Sequence, residues 1–139
     1  MTIEFAVFGK PVPMARPRVT AHGTYTPKRC REYKAAVAAA AKKKMRGMKM
    51  FDGAVMCHIR LSYKVPKSYT KEKRMAAENN IILPVGRNTG DADNHAKAIM
   101  DALTGIVWRD DSQVTYLVVS KLYGFEDWAE ISIRDDVRA

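Results

Sequence analysis

Acidic residues are scarce in the first part of this chain, and long apolar runs are scarce throughout. No uninterrupted hydrophobic stretch approaches the ~20 residues that a bilayer-crossing helix needs. Residues 1–10 are too short and too polar for a secretory signal, so a cytoplasmic protein without membrane contact is expected. Cysteine is almost absent. Cys30 and Cys57 are the two in 139 residues, and they stand in segments that read as helix and strand. They show no metal-ligand spacing, which excludes a disulfide framework and a zinc knuckle and leaves two reduced, partly buried thiols. No internal repeat and no linker-like stretch divides the chain.

Hydrophobic residues make up 47% of the sequence, enough for one compact domain over residues 1–139 and too many for a disordered chain. The net charge is +9. It is unevenly placed: residues 1–50 hold 12 Lys and Arg against 2 acids, and residues 51–139 hold 12 against 13. A basic segment of that kind suits a polyanion, with nucleic acid the first candidate.

Residues 3–9 (IEFAVFG) read as a strand. A long loop with Pro11, Pro13, Pro17 and Gly23 follows and carries Lys10, Arg16 and Arg18. Thr26-Pro27 suits a helix start, with Thr26 as cap and Pro27 at the first helical position. The alanine-rich run favours helix through Lys44, with Gly47 beyond it as a stop. Residues 54–65 alternate as a second strand, in which His58 is an ordinary strand residue. A short basic helix follows, capped by Ser68 or Thr70. A further helix starts at Asp91 or Asp93 and stops at Gly105, with Ala92, Ala96, Ile99, Met100 and Leu103 as its apolar stripe. His95 falls on the surface of that helix. Residues 114–123 and 128–133 read as the last two strands. The order predicts an α+β (mixed α/β) fold, a small mixed sheet packed with helices.

Five aspartates, Asp91, Asp93, Asp101, Asp110 and Asp111, gather in "GDADNHAKAIMDALTGIVWRDDSQV". Oxygen ligands of this type suit Mg²⁺. A helix over about 93–104 followed by a turn would lay Asp110–Asp111 beside Asp91–Asp93. Lys97, one turn beyond Asp93, could then face a phosphate. Carboxylates holding a cation, with a lysine beside them, suit phosphodiester hydrolysis. The same residues also suit plain structure: Asp is a preferred helix cap, Asp101 lies four residues after Lys97, and Asp110–Asp111 could be a polar turn.

"DADNHAKAIMDAL" followed by "WRDDSQV" resembles the RusA family of Holliday-junction resolvases, small endodeoxyribonucleases common in phages and prophages. The family shows a D-x-D-N segment, a lysine four residues after the second Asp, a DAL helix end and a D-D-x-Q-V turn. All four are present here in order. "GKPVPMARPR", "YTPKRCREY" and "VPKSYTKEKR" are also similar to family segments, so the likeness spans most of the chain. The resemblance implies a Mg²⁺-dependent nuclease, with Mn²⁺ able to substitute and no organic cofactor, acting as an intertwined homodimer on four-way junction DNA in recombination and repair. It assigns Asp91, Asp93 and Asp111 as catalytic metal ligands and Lys97 as the lysine needed for cleavage. Asp101 is then structural, with a role in orienting Lys97. Thr89-Gly90 stand where family members often carry a basic residue, and Gly90 leaves room for a phosphate to approach the backbone.

On this reading Lys10, Arg16, Arg18, Lys28, Arg29 and Lys73 contact DNA phosphates, and Tyr25 and Trp108 belong to the core or stack on bases. The same features admit a nuclease acting on flaps or plain duplex, or a non-catalytic basic DNA-binding protein. An RNA-binding module fits less well, since no RNA-recognition motif is visible.

Overall fold

The computed structural model describes residues 1–15 and 18–138 and, for Arg18 and Tyr25, the backbone only. Four long strands form one sheet: β1 (Thr2–Phe8), β4 (Val55–Lys64), β5 (Val114–Gly124) and β6 (Trp128–Asp135). A small hairpin, β2 (Arg18–Thr20) with β3 (Gly23–Tyr25), stands apart from it. The helices are α1 (Lys28–Lys44), α2 (Lys71–Glu78) and α3 (Ala92–Leu103). The mixed α+β class expected from the sequence is the class observed, and no described helix is long and apolar enough to cross a membrane.

The sheet order is β1-β6-β4-β5. β6 runs antiparallel to both β1 and β4, whereas β4 and β5 are parallel, with Leu61 opposite Lys121 and Tyr63 opposite Tyr123. A parallel pair needs a long crossover. Here the crossover contains α2 and α3 and carries all the chemistry-bearing motifs of the acidic segment. Period-two alternation places Ile59, Leu61, Ile131 and Ile133 on one buried face, where Val37 and Ala41 of α1 and Ile99 and Leu103 of α3 cover them. The opposite face carries polar side chains such as Glu4, His58, Arg60 and Glu130.

Local signals explain most boundaries. Thr70 caps α2, its hydroxyl accepting from the Lys73 N–H at 3.2 Å. α1 begins one residue later than expected: Pro27 occupies the cap position and Thr26 makes no capping bond. The lysines in the last turn of α1 complement its dipole. Past α3, Gly105 adopts φ 87° and donates to the Trp108 carbonyl at 2.7 Å, reversing the chain. Trp108 itself is fully buried, so its place is the core. The β2–β3 hairpin lies inside what reads from sequence as one long loop.

Candidate active site

α3 presents its N-terminus at one end of the domain. Asp91 occupies the cap position, yet its carboxylate accepts no backbone N–H there. Asn94 Nδ2 approaches it only at 3.5 Å. Asp93 in the first turn and Lys97 one turn later are both exposed. Among the described residues, Asp91, Asp93, Asp111 and Lys97 form no ion pair. Capping therefore does not account for Asp91, and its carboxylate is available to a ligand.

The turn leading into Asp91 is held from three sides. Gly90 has φ 79°, and a Cβ there would meet Pro13 Cγ at 2.7 Å and His95 Nε2 at 3.0 Å. Glycine is required by this close approach, and Pro13 fills the space that the sequence suggested for a phosphate. His95 is not on the helix surface as expected but completely buried. Its position, four residues before Ile99 and seven before Ala102, places it on the apolar stripe. Its Nε2 bonds the Thr89 carbonyl, which also accepts from Tyr63 Oη at 2.7 Å. A proton on Nε2 satisfies that geometry and leaves Nδ1 buried without a partner. Burial holds the ring's pKa below its ordinary value, helped by the nearby Lys121 charge and opposed by the Thr89 carbonyl and the Asp91 charge.

The third support comes from Lys121 of β5, a residue the sequence reading did not single out. Its Nζ donates to the Gly90 carbonyl at 2.7 Å. Burial pushes its pKa down, while the charge of Asp91 pulls it back. The signal was present in sequence: Lys121 alternates with Val119 and Tyr123, so it lies on the helix-covered face.

Asp110 behaves differently. It caps the short turn Asp111–Gln113, accepting from the Ser112 N–H at 2.9 Å, and Gln113 completes a capping box. Those bonds hold the Asp110 carboxyl below the usual range. Gln113 Nε2 also donates to the carbonyls of Phe51 and Gly53, both at 3.0 Å, which pins the turn to the start of β4. Asp111 is left exposed beside it.

The two acidic pairs do not meet within one chain. Lys121 fixes the Gly90 end of α3 far along β5, whereas Asp111 precedes the first residue of β5. At ~3.3 Å per strand residue and ~1.5 Å per helix residue, the ends lie roughly 20 Å apart. Accordingly, no group of three acidic, histidine or cysteine side chains capable of holding a metal forms among the described residues. The helical hairpin does not fold them together: α3 has about the expected length, but the chain beyond Gly105 is pinned at Phe51 and Gly53 by Gln113 and does not return to the start of α3. Asp101 likewise pairs with Lys34 of α1 and does not orient Lys97.

The expected DNA contacts separate into two grooves. One, of about 580 Å³, is lined by Lys10, Lys28, Arg29 and Arg87 and reaches Gly90. Its wall is the proline-rich loop, held to α3 by Met14 N–H donating to the Asn94 carbonyl at 2.8 Å. The other, of about 490 Å³, shares Lys10 and adds Lys64 and Lys73 beside Tyr69 and Tyr123. Lys73 Nζ sits 4.1 Å from the centre of the Tyr69 ring. Arg87 and Lys64 join the expected set. Arg16 lies outside the described residues, as do the side chains of Arg18 and Tyr25.

The chain is similar in sequence to known proteins. The family described as endodeoxyribonuclease RusA matches residues 9–134. A relative, the uncharacterized protein YqaN of Bacillus subtilis (strain 168), is 33% identical over 139 residues, covering 96% of each chain. With the match spanning both grooves, α3 and the Asp110–Gln113 turn, the chain belongs to the endodeoxyribonuclease RusA family.

Proposed function

We propose that the protein is a Mg²⁺-dependent endodeoxyribonuclease that resolves four-way DNA junctions by paired nicks, and that it does so as a homodimer. The observation that carries this reading is the N-terminus of α3. There an uncommitted Asp91 and Asp93, with Lys97 one turn away, follow directly on Gly90, which lines a groove together with Lys10, Lys28, Arg29 and Arg87.

The donor set fits Mg²⁺, since Asp91 and Asp93 supply hard oxygen ligands and neither is tied into a cap or an ion pair. When bound, the cation would activate water as the nucleophile and offset charge on the phosphoryl oxygens. Lys97 would stabilise the extra negative charge of the transition state. Lys10, Lys28, Arg29 and Lys73 would neutralise neighbouring phosphates, positioning the backbone while reading little sequence.

The third carboxylate, Asp111, is at the wrong end of its own chain. A two-fold dimer can solve this, because an isologous contact that brings Asp111 of one chain to α3 of the other does so twice. Two equivalent composite sites follow, which suits a reaction needing two matched nicks.

The test is cleavage of a four-way junction beside linear duplex and flap DNA of matched sequence, with Mg²⁺ or EDTA, for wild type and Asp93→Asn. The proposal expects Mg²⁺-dependent cutting of the junction in preference to the others, and an Asp93→Asn protein that binds the junction without cutting it. Equal rates on junction and duplex would assign a general nuclease. Cutting retained by Asp93→Asn would remove the proposed site.

A further inference from the structure

Lys121 stands on the helix-covered face of the sheet and ends at the residue before Asp91. It stands between Val119 and Tyr123 on β5, opposite Leu61 of β4. Its ammonium lies 6.0 Å from the centre of the Tyr63 ring and donates to the Gly90 carbonyl at 2.7 Å. No carboxylate comes within ion-pair distance of it among the described residues. Lys34, by contrast, has Asp101.

An ammonium carries three N–H donors and one positive charge. Holding a turn needs one neutral donor and no charge. Lys121 is partly buried, and partly shielding a cation from water without an anion carries a cost that a carbonyl alone offsets only in part. The side chain thus has donors and charge in excess of its structural task, at the residue preceding a carboxylate that caps nothing. The groove lined by Lys10, Lys28, Arg29 and Arg87 opens at the same glycine. A phosphodiester drawn along that groove to Asp91 would bring the missing anion.

We propose that Lys121 is a second lysine of the catalytic site, braced on the Gly90 carbonyl by one N–H and donating another to a non-bridging oxygen of the phosphate being cut. This rests on the nuclease reading above. Lys97 reaches that phosphate from the helix and Lys121 from the sheet. The two would share the charge that develops on the phosphoryl oxygens.

Three variants separate charge from bracing. Lys121→Gln keeps a donor for the Gly90 carbonyl and loses the charge, Lys121→Met loses both, and Lys121→Arg keeps both. Single-turnover cleavage of a four-way junction in Mg²⁺ is measured for each, with junction affinity, thermal melting, and Mn²⁺ affinity of the free protein by electron paramagnetic resonance. The proposal expects Gln and Met variants that fold, bind the junction and bind Mn²⁺ no more weakly than wild type, but cut it about 100-fold more slowly, as for loss of one transition-state donor. The Arg variant should recover most of the rate. A Gln variant that cuts like wild type would overturn the proposal, because bracing then suffices. So would a rate loss matched by weaker Mn²⁺ binding, which would make Lys121 a support for Asp91, or a Gln variant that fails to fold. A wild type that cuts none of the DNA substrates would defeat the nuclease reading itself, and that result appears in a separate arm.

Discussion

Asp91 and Asp110 each stand at the cap of a helical turn, and they use that position in opposite ways. Asp110 accepts the Ser112 N–H and shares a capping box with Gln113, whose amide reaches across to Phe51 and Gly53. Its charge serves the fold. Asp91 has the same residue type and extended backbone but accepts no capping bond. The turn before it is secured instead by Gly90, His95, Tyr63 and Lys121. The Asp111–Gln113 turn uses an aspartate to make structure; the start of α3 uses four residues of structure to keep an aspartate available. Residue type and local position therefore do not separate a cap from a ligand, whereas the list of bonds that each carboxylate makes does.

Substitutions on the two ends should sharpen this contrast. The largest effect is expected from Asp93→Asn, which should lower the cleavage rate by on the order of 10³-fold or more while junction binding in a gel-shift assay is retained or strengthened. Gly90→Ala should come next. The added methyl meets Pro13 and His95 and stands at positive φ, so unfolding in urea should show a loss of ~1–3 kcal/mol, with slower cutting from a displaced Asp91. Asp110→Ala should lower the melting temperature by a few degrees and leave the rate at saturating Mg²⁺ nearly unchanged. If Asp110→Ala abolished cutting with the fold intact, the division of labour between the two ends would be wrong. The smallest effect is expected from Arg29→Ala in the groove: weaker junction binding, and a plot of log affinity against log salt shallower by about one, with little change in rate at saturation.

Periodicity revealed the long elements. Residues 28–44, 55–64 and 114–124 lie within a residue or two of their expected limits, since three or more turns or alternations fix a face. The β2–β3 hairpin escaped because three-residue strands are too short to show a period. The parallel pairing of β4 with β5 is a long-range choice that no local signal carries, and with it went the position of Lys121 against Gly90. His95 was readable in principle from the stripe it shares with Ile99 and Ala102. The acidic motif was legible as residues but not as geometry: the length of α3 was readable, but the path after Gly105, pinned where Gln113 bonds Phe51 and Gly53, is set by long-range contacts. The proposed dimer would bring Asp111 to Asp91 and Asp93 from a second copy.

A mixing experiment tests that composite site most directly. Asp93→Asn and Asp111→Asn proteins, each inactive alone, are unfolded together, refolded and assayed for junction nicking. If each site draws Asp91 and Asp93 from one chain and Asp111 from the other, a mixed dimer holds one site with both substitutions and one with neither. Random pairing then restores about one quarter of the wild-type sites. Were all three aspartates to act within a single chain, every site in the mixture would carry a substitution, and the mixture would be as inactive as its parts.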